Sequence, residues 1–546
     1  MPESLRAASA SVDVAQTVVD TAVRALARRS SENGRLSVAL LDQHQVVAYD
    51  LAHAAAAVEG SRVMCRYGEH GEVESMLARA YVADAIADIG ARMMGRGAVW
   101  EVDPDALADA MPFVAEHRAP AFLAGLADQC VKHGTGPTHL SDDFELVAET
   151  FRRFADDKIR PAAEHVHRAN ADVPEELIAG LADLGGFGLS VPEAYGGFAT
   201  GGESDYMGMV VATEELSRGS LGIGGSLVTR PEILTRALVA GGTEAQKQTW
   251  LPRIASGELM VGIMVTEPDY GSDVAGVKVV AVPADGGWVV NGVKTWATFA
   301  GRADVLMLLA RTDPDRSAGH RGLSILMVEK PRAGGHAFAF DDGRGGHIEG
   351  RAIDTIGYRG MHSYEVAFDN WFVPDTHLIG GEAGLGRGFY LQMAGFENGR
   401  LQTAARAVGL MQAAFEAALG YAQERNVFGA PVFDYQLSKV KLARMATLIQ
   451  AGRQFSYDVA TKMARGDGTL EASMVKAYVC RAAEWVTREA MQLHGGMGYA
   501  EEFPVSRYFV DARVLSIFEG ADETLCLRVI ARRLAEQALS SGPGRG

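Results

Sequence analysis

Between residues 261 and 376 the chain changes texture, and this change limits what it can fold into. Trp288–Trp296, Val305–Leu309, Leu323–Val328 and Tyr364–Phe368 are short apolar or alternating runs bounded by Gly, Asp and Pro, the signature of strands. On both sides the pattern is helical. Leu401–Arg425, Tyr435–Arg465 and Glu471–His494 are long and free of proline, long enough to build a helical bundle. No strand alternates with helix as a parallel sheet demands, which disfavours a doubly wound dinucleotide-binding fold. The expected fold is mainly α with a central β domain.

Four segments follow. Residues 1–138 are alanine-rich, with apolar positions at helical spacing such as Val73, Met76, Leu77, Ala80, Ala83 and Ala87, and form a helical N-terminal extension without an assignable motif. Lys132–His139 has the Gly and Pro of a linker, and Ser141–Glu145 offers a helix start. Residues 139–260 are helical, interrupted by glycines at 185–186, 196–197 and 222–225 that suit ligand-facing loops. Residues 261–376 form the β domain, and 377–546 the C-terminal helical bundle, ending in a Gly/Ser-rich tail at 540–546.

Fifty-two Lys+Arg against 69 Asp+Glu leave a formal charge of −17, which argues against nucleic acid and anionic lipid as general partners. Cys65, Cys130, Cys480 and Cys526 lie far apart without metal-ligand or disulfide spacing, so no metal is expected. No apolar run reaches the roughly 18 residues a membrane span requires, and Met1–Asp13 has no apolar core. These features place the chain in the cytoplasm, with a mitochondrial matrix as the alternative.

Four blocks carry chemistry. Val265-Thr-Glu-Pro-Asp-Tyr-Gly-Ser-Asp-Val-Ala-Gly276 exposes backbone amides beside hydroxyls, which suits a phosphate or a polar ring edge as well as it suits a capped turn. Lys294-Thr-Trp-Ala-Thr298 sets an indole and a hydroxyl two apart, which on a regular strand puts both on one face. Gln492-Leu-His-Gly-Gly-Met-Gly-Tyr499 ends a long helix with glycines that let backbone approach a ligand. Ile517-Phe-Glu-Gly-Ala-Asp-Glu-Thr524 puts a carboxylate in a turn before the last helix.

In type, order and spacing these blocks resemble the acyl-CoA dehydrogenase family from about residue 140 to 536. The resemblance implies that family's architecture, a strand domain between two helical ones, with FAD as cofactor and an acyl-CoA thioester as substrate. It assigns Val265, Thr266 and Thr298 to the flavin ring, Trp296 to packing against it, and Ser272 to the pyrophosphate and the neighbouring CoA channel. Arg425-Asn-Val-Phe428-Gly429 with Gln436, and Gln492 with Gly495 and Gly496, would reach the FAD of a neighbouring subunit. Glu523 is assigned to the cofactor as well.

Glu519 takes the position of the family's catalytic glutamate. The α-proton, acidified by the thioester carbonyl, must leave as the β-hydrogen passes to the flavin, and a carboxylate shielded from water by both ligands serves as the base. The Glu519 amide would stabilise the enolate-like oxygen, with Gly520 beside the substrate. Some members carry the base just before an early bundle arginine. Here Gly399 precedes Arg400, which leaves the role to Glu519. Glu397 and Arg400 match positions lining the acyl and pantetheine channel. The chain departs from the family at Tyr270, where a small residue is usual, and at Ala521-Asp-Glu-Thr, which replaces a Thr-Ser-Gln run.

Most members lack the N-terminal extension. Together with Glu203–Met209, Ile356–Met361 and Gln392–Arg400, it narrows the resemblance to enzymes for a short branched dicarboxylic acyl-CoA. The free carboxylate then needs a cation, for which Arg218, Arg230 and Tyr358 are candidates from their loops. The alternatives are a short or branched monocarboxylic acyl-CoA dehydrogenase, an acyl-CoA oxidase, and a nucleic-acid-binding flavoprotein of the same fold. The last would need a strongly basic C-terminal region, which Arg528, Arg532 and Arg533 do not make. Electron-transfer flavoprotein is the implied electron acceptor. A homodimer or homotetramer is implied by residues that serve a neighbour's FAD, and the extension would cover the face by which shorter members pair their dimers.

Overall fold

The computed structural model describes residues 3–202 and 204–540, so Met1, Pro2, Glu203 and the tail from 541 lie outside the described residues. The chain forms two compact units, one of residues up to 141 with those from 403, the other of residues 142–402.

In the second unit, helices Asp142–Phe154, Arg160–Ala169, Glu175–Asp183, Ser204–Gly219, Thr229–Gly241 and Glu244–Ala255 precede an eight-stranded sheet. Along the sheet the order is Val261–Met264, Val305–Arg311, Val280–Ala284, Gly287–Thr298, Ser363–Pro374, His347–Ile353 and Ala337–Asp341, with Leu323–Glu329 paired to Val305–Arg311 off this path. The continuous apolar run at 305–310 has a simple cause. Val305, Met307 and Leu309 enter a core with Trp250, Leu251 and Ile254 of the preceding helix, whereas Leu306, Leu308 and Ala310 enter a core with Val290, Val366 and Trp371 of the sheet itself. A strand with a core on each face has no position left for a polar side chain.

The other unit joins both ends of the sequence. Helix Glu3–Arg29 buries Ala8, Val12, Ala15, Val19, Ala22 and Leu26 against Ala48, Leu51, Ile86, Trp100 and Ala531, the stripe that a 3.6-residue period produces. Helices Gln45–Tyr67 and Glu72–Met93 of the extension pack on the bundle helices Gln436–Ala464 and Thr469–Leu493. Arg66 pairs with Asp458 at 2.6 Å and Lys462 with Glu59 at 2.6 Å, and the rings of Tyr81 and Tyr478 meet edge to face. The extension therefore shares its core with the bundle and is not an appended module.

The glycines at 222–225 form a π-helical turn, Leu221–Gly225, whose backbone lies against the loop before strand Ser363–Pro374. A Cβ on Gly222 would lie 2.4 Å from the Arg359 carbonyl oxygen, so Gly222→Ala must displace that loop. The expected cost is about 1–3 kcal/mol, read as a lower denaturation midpoint with an unchanged m-value.

Candidate active site

In the second unit the first and second blocks are built together. Lys294, fully buried, reaches from strand Gly287–Thr298 to donate to the Val265 carbonyl at 2.8 Å and to Glu267 at 2.9 Å. Glu267 in turn accepts from the amides of Lys278 and Val279 at 2.6 and 2.8 Å, and the Thr295 amide donates to the Thr266 carbonyl at 2.9 Å. Val265 and Thr266 are thus pinned through one buried ion pair, whose desolvation pushes the Lys294 ammonium down to about 8 against the pull of Glu267. Breaking such a pair by removing one partner costs about 3–5 kcal/mol. Lys294→Met should accordingly lower the unfolding free energy by that amount and release FAD, checked by denaturant titration and by the flavin absorbance retained after gel filtration.

The expectation that Trp296 and Thr298 share a strand face is corrected. Tyr364 pairs with Ala297 and Val366 with Lys294, so Thr295 and Trp296 together oppose Glu365 alone. This is a β-bulge, and Trp296 sits in it at φ +56°. The indole is 54% exposed while Thr298 is buried, its hydroxyl 3.0 Å from that of Ser363. The bulge turns a large flat aromatic outward beside half-buried Thr266, a surface that a planar ring can cover. Ser272 stands in an exposed turn, and the Tyr270 ring lies over Gly276, where a Cβ would be only 2.4 Å away.

The three proposed carboxylate anchors separate. Arg218 is engaged by Asp156 at 3.0 Å, a partner from the neighbouring helical segment, so its charge is already met by a carboxylate of the protein. Arg230 and Tyr358 are brought together, with the guanidinium 5.9 Å from the ring centroid. Arg230 is only 5% exposed, Tyr358 is buried, and Arg230 Nη1 has no hydrogen-bond partner. Among the described residues it forms no ion pair. A buried cation without an anion is costly, so this position favours an anionic ligand.

The residues around Arg230 were not evident from sequence. Glu232, two positions on, is buried and accepts from Asn398 and, at 2.9 Å, from Ser190. Burial pushes its carboxyl above the ordinary range despite Arg236. Gln392 is fully buried, with both amide atoms unpartnered among the described residues. The start of helix Gly388–Glu424 runs alongside Thr229–Gly241, with Leu391 at Gly241, Gly395 at Ile233 and Asn398 at Glu232. Half-buried Glu397 and Arg400 lie on this stretch. A buried Gln or Asn in an apolar helix was the available signal.

In the other unit Glu519 occupies a left-handed backbone position, φ +53°, followed by Gly520 at φ +97°. Glu519 is half-buried, and among the described residues its Oε2 is buried without a hydrogen-bond partner, which leaves a lone pair available to accept a proton. Fully buried Lys476 donates to the Gly520 carbonyl at 2.6 Å, and the Asp522 amide donates to the Ser516 carbonyl at 3.1 Å, closing the turn. The Arg406 guanidinium lies 4.7 Å from the Phe518 ring centroid. Glu523 is exposed.

The remaining cofactor candidates of this unit lie at the surface. Arg425 and Phe428 belong to the small hairpin Asn426–Val427/Ala430–Pro431, where Phe428 is fully exposed at φ +50°. Gln436 is exposed in the first turn of its helix. Gln492, Gly495 and Gly496 are exposed where helix Thr469–Leu493 ends, with Gly495 at φ +59°.

Residues 141–258, 262–371 and 386–535 match the acyl-CoA dehydrogenase N-terminal, middle and C-terminal domains. The chain belongs to the acyl-CoA dehydrogenase family and is a flavin-dependent oxidoreductase. Among individual relatives, it is 38% identical over 552 residues to the (2S)-methylsuccinyl-CoA dehydrogenase of Cereibacter sphaeroides, covering 97% of this chain and 98% of that one. The glutaryl-coenzyme A dehydrogenase–glutaryl-CoA complex matches with a TM-score of 0.66 at 31% identity, over 72% of this chain and 95% of that one. A chain solved in work on the electron transferring flavoprotein of Acidaminococcus fermentans matches with a TM-score of 0.65 at 29% identity, over 74% of this chain and 99% of that one. The family is FAD-dependent, and the outward Trp296 beside Thr266 fits an isoalloxazine ring. Among the described residues no helix is long and apolar enough to cross a membrane.

Proposed function

We propose that the chain oxidises a short branched dicarboxylic acyl-CoA, (2S)-methylsuccinyl-CoA, to mesaconyl-CoA. The observation that carries the substrate class is Arg230, a buried guanidinium with no anionic partner among the described residues, lying over the Tyr358 ring. A carboxylate ligand supplies the missing charge through bidentate hydrogen bonds. An uncharged acyl terminus would leave that cation desolvated and unpaired. The 38% identity along the full length with a methylsuccinyl-CoA dehydrogenase supports the same reading.

In this reading Glu519 removes the α-proton, using the Oε2 that no donor among the described residues occupies. The Glu519 amide donates to the thioester oxygen as negative charge builds on it. Thr266 and Thr298 hold the flavin ring, and Trp296 packs on it. Bound FAD supplies the acceptor for the β-hydrogen and its electron pair. Ser272 lies along the pyrophosphate and CoA, while Glu397, Arg400 and Gly520 line the acyl and pantetheine path. Arg425, the uncovered Phe428, Gln436, Gln492, Gly495, Gly496 and Glu523 complete an FAD site shared with a second copy of the chain, in a dimer or tetramer. Electron-transfer flavoprotein in the cytoplasm receives the electrons.

The test is anaerobic mixing of the FAD-loaded protein with methylsuccinyl-CoA, and separately with butyryl-CoA and isobutyryl-CoA, while following the oxidised flavin band. Fast bleaching by the dicarboxylic thioester alone is expected. Equal bleaching by the uncharged thioesters would refute the dicarboxylate assignment.

A further inference from the structure

The turn that presents Glu519 joins two left-handed residues, Glu519 and Gly520. A non-glycine residue in that region persists where its surroundings hold it there. Two of the holders belong to the bundle, the Lys476 bond to the Gly520 carbonyl and the closure of Asp522 onto Ser516. The third comes from the other end of the sequence. Tyr49, on helix Gln45–Tyr67 of the extension, donates its hydroxyl to Asp522 Oδ2 at 2.5 Å, and His53, one helical turn on, places Nε2 3.4 Å from the same oxygen. Cys526 lies 3.4 Å from His53 Nε2 and 3.8 Å from Asp522 Oδ1. Asp522, His53 and Cys526 are all buried.

We propose that the N-terminal extension positions the catalytic base, with Tyr49 and His53 clamping Asp522 and so fixing the turn that aims Glu519. Asp522 lies three residues past Glu519, inside the run where this chain departs from its family. Its buried carboxylate needs donors, and two of them come from the segment most family members lack. Burial pushes the Asp522 carboxyl up, but hydrogen bonds from His53 and Tyr49, with the Arg481 guanidinium nearby, more than offset this and hold it below the ordinary range. Burial keeps the His53 ring low despite that carboxylate. The clamp is therefore an ionised Asp522 taking a charge-assisted bond from Tyr49, which is stronger than a neutral one. Tyr49, His53 and Asp522 are positioning residues, acting on the reaction through Glu519.

This inference rests on Glu519 being the base, and the experiment separates the two claims. Tyr49→Phe, Asp522→Asn, Asp522→Leu, Glu519→Gln and the control Tyr81→Phe are prepared as full-length, FAD-loaded protein and reacted with methylsuccinyl-CoA. Tyr81 is a buried extension tyrosine that meets Tyr478, so its variant reports the generic loss of a hydroxyl. Tyr49→Phe is expected to lower kcat and the flavin reduction rate about tenfold to a hundredfold, with KM within twofold, FAD content unchanged and a larger isotope effect from α-deuterated substrate. Asp522→Leu should match or exceed this loss, Asp522→Asn should retain part of the rate, and Tyr81→Phe should keep it. If Tyr49→Phe and Asp522→Leu keep full kcat while Glu519→Gln is inactive, the clamp is refuted and the base stands. If Glu519→Gln stays active, the base assignment fails and the clamp falls with it. Stoichiometric zinc in the purified protein, lost in His53→Ala, would replace the hydrogen-bonded clamp by a metal site.

Discussion

In Glu519→Gln, anaerobic mixing with methylsuccinyl-CoA is expected to leave the flavin oxidised, with a reduction rate at least about a thousandfold below the parent, within the range a positioned general base contributes. The substitution is nearly isosteric, and Oε2 has no hydrogen bond among the described residues to lose. Folding stability and FAD content should therefore stay at parent values, as checked by thermal melting and the protein-to-flavin absorbance ratio. Retained FAD with lost bleaching isolates proton removal. Bleaching within tenfold of the parent would move the base elsewhere, and Gly399 offers no carboxylate at the other family position.

The second large effect belongs to Arg230→Met. For methylsuccinyl-CoA, kcat/KM should fall about a hundredfold to a thousandfold, the loss expected when a bound carboxylate is left buried without its cation. Butyryl-CoA should react as fast as before or faster, because the pocket end becomes apolar. The ligand-free protein should melt no lower than the parent, since the substitution removes a buried charge that has no anionic partner among the described residues. The opposite signs for stability and for activity on the dicarboxylate distinguish a ligand anchor from a structural arginine. Parallel losses with both substrates, or a lower melting temperature, would refute the assignment. Arg218→Met supplies the contrast. Its bond to Asp156 makes it structural, so its loss should destabilise without changing substrate preference.

The strands at 288–296 and 364–368 and the long bundle helices could be read from periodicity, because each buries one face more than the other, and those at 305–309 and 323–328 from unbroken apolar runs, because each is buried on both faces. The four chemical blocks were legible as a set, since glycines, a tryptophan and a carboxylate recur in fixed order. The orientation of Trp296 was not, because a bulge depends on the partner strand's register and a single strand's alternation does not reveal it. Nor could sequence rank Arg218, Arg230 and Tyr358. What separates the two arginines is whether a carboxylate of the described residues reaches them, and Asp156 meets Arg218 from 62 positions away. The contact of Tyr49 with Asp522 spans 473 positions, and no local pattern marks such a pair.

Sharing one core between the two ends of the sequence also sets an order of assembly. The apolar faces of the first 141 residues pack with segments beyond residue 403, so 261 residues must be synthesised before the bundle begins to emerge. At the usual 5–20 residues per second that is a delay of roughly 13–50 s. Throughout it Leu26, Ile86 and Trp100 lack Ala531 and the rest of the bundle, while residues 142–402 can already close their own sheet. Nascent chains halted near residue 400 should therefore have a protease-resistant middle and a chaperone-bound, readily cleaved beginning. Chains ending before the last helix should accumulate as aggregates even though every strand and the whole Trp296 bulge are complete.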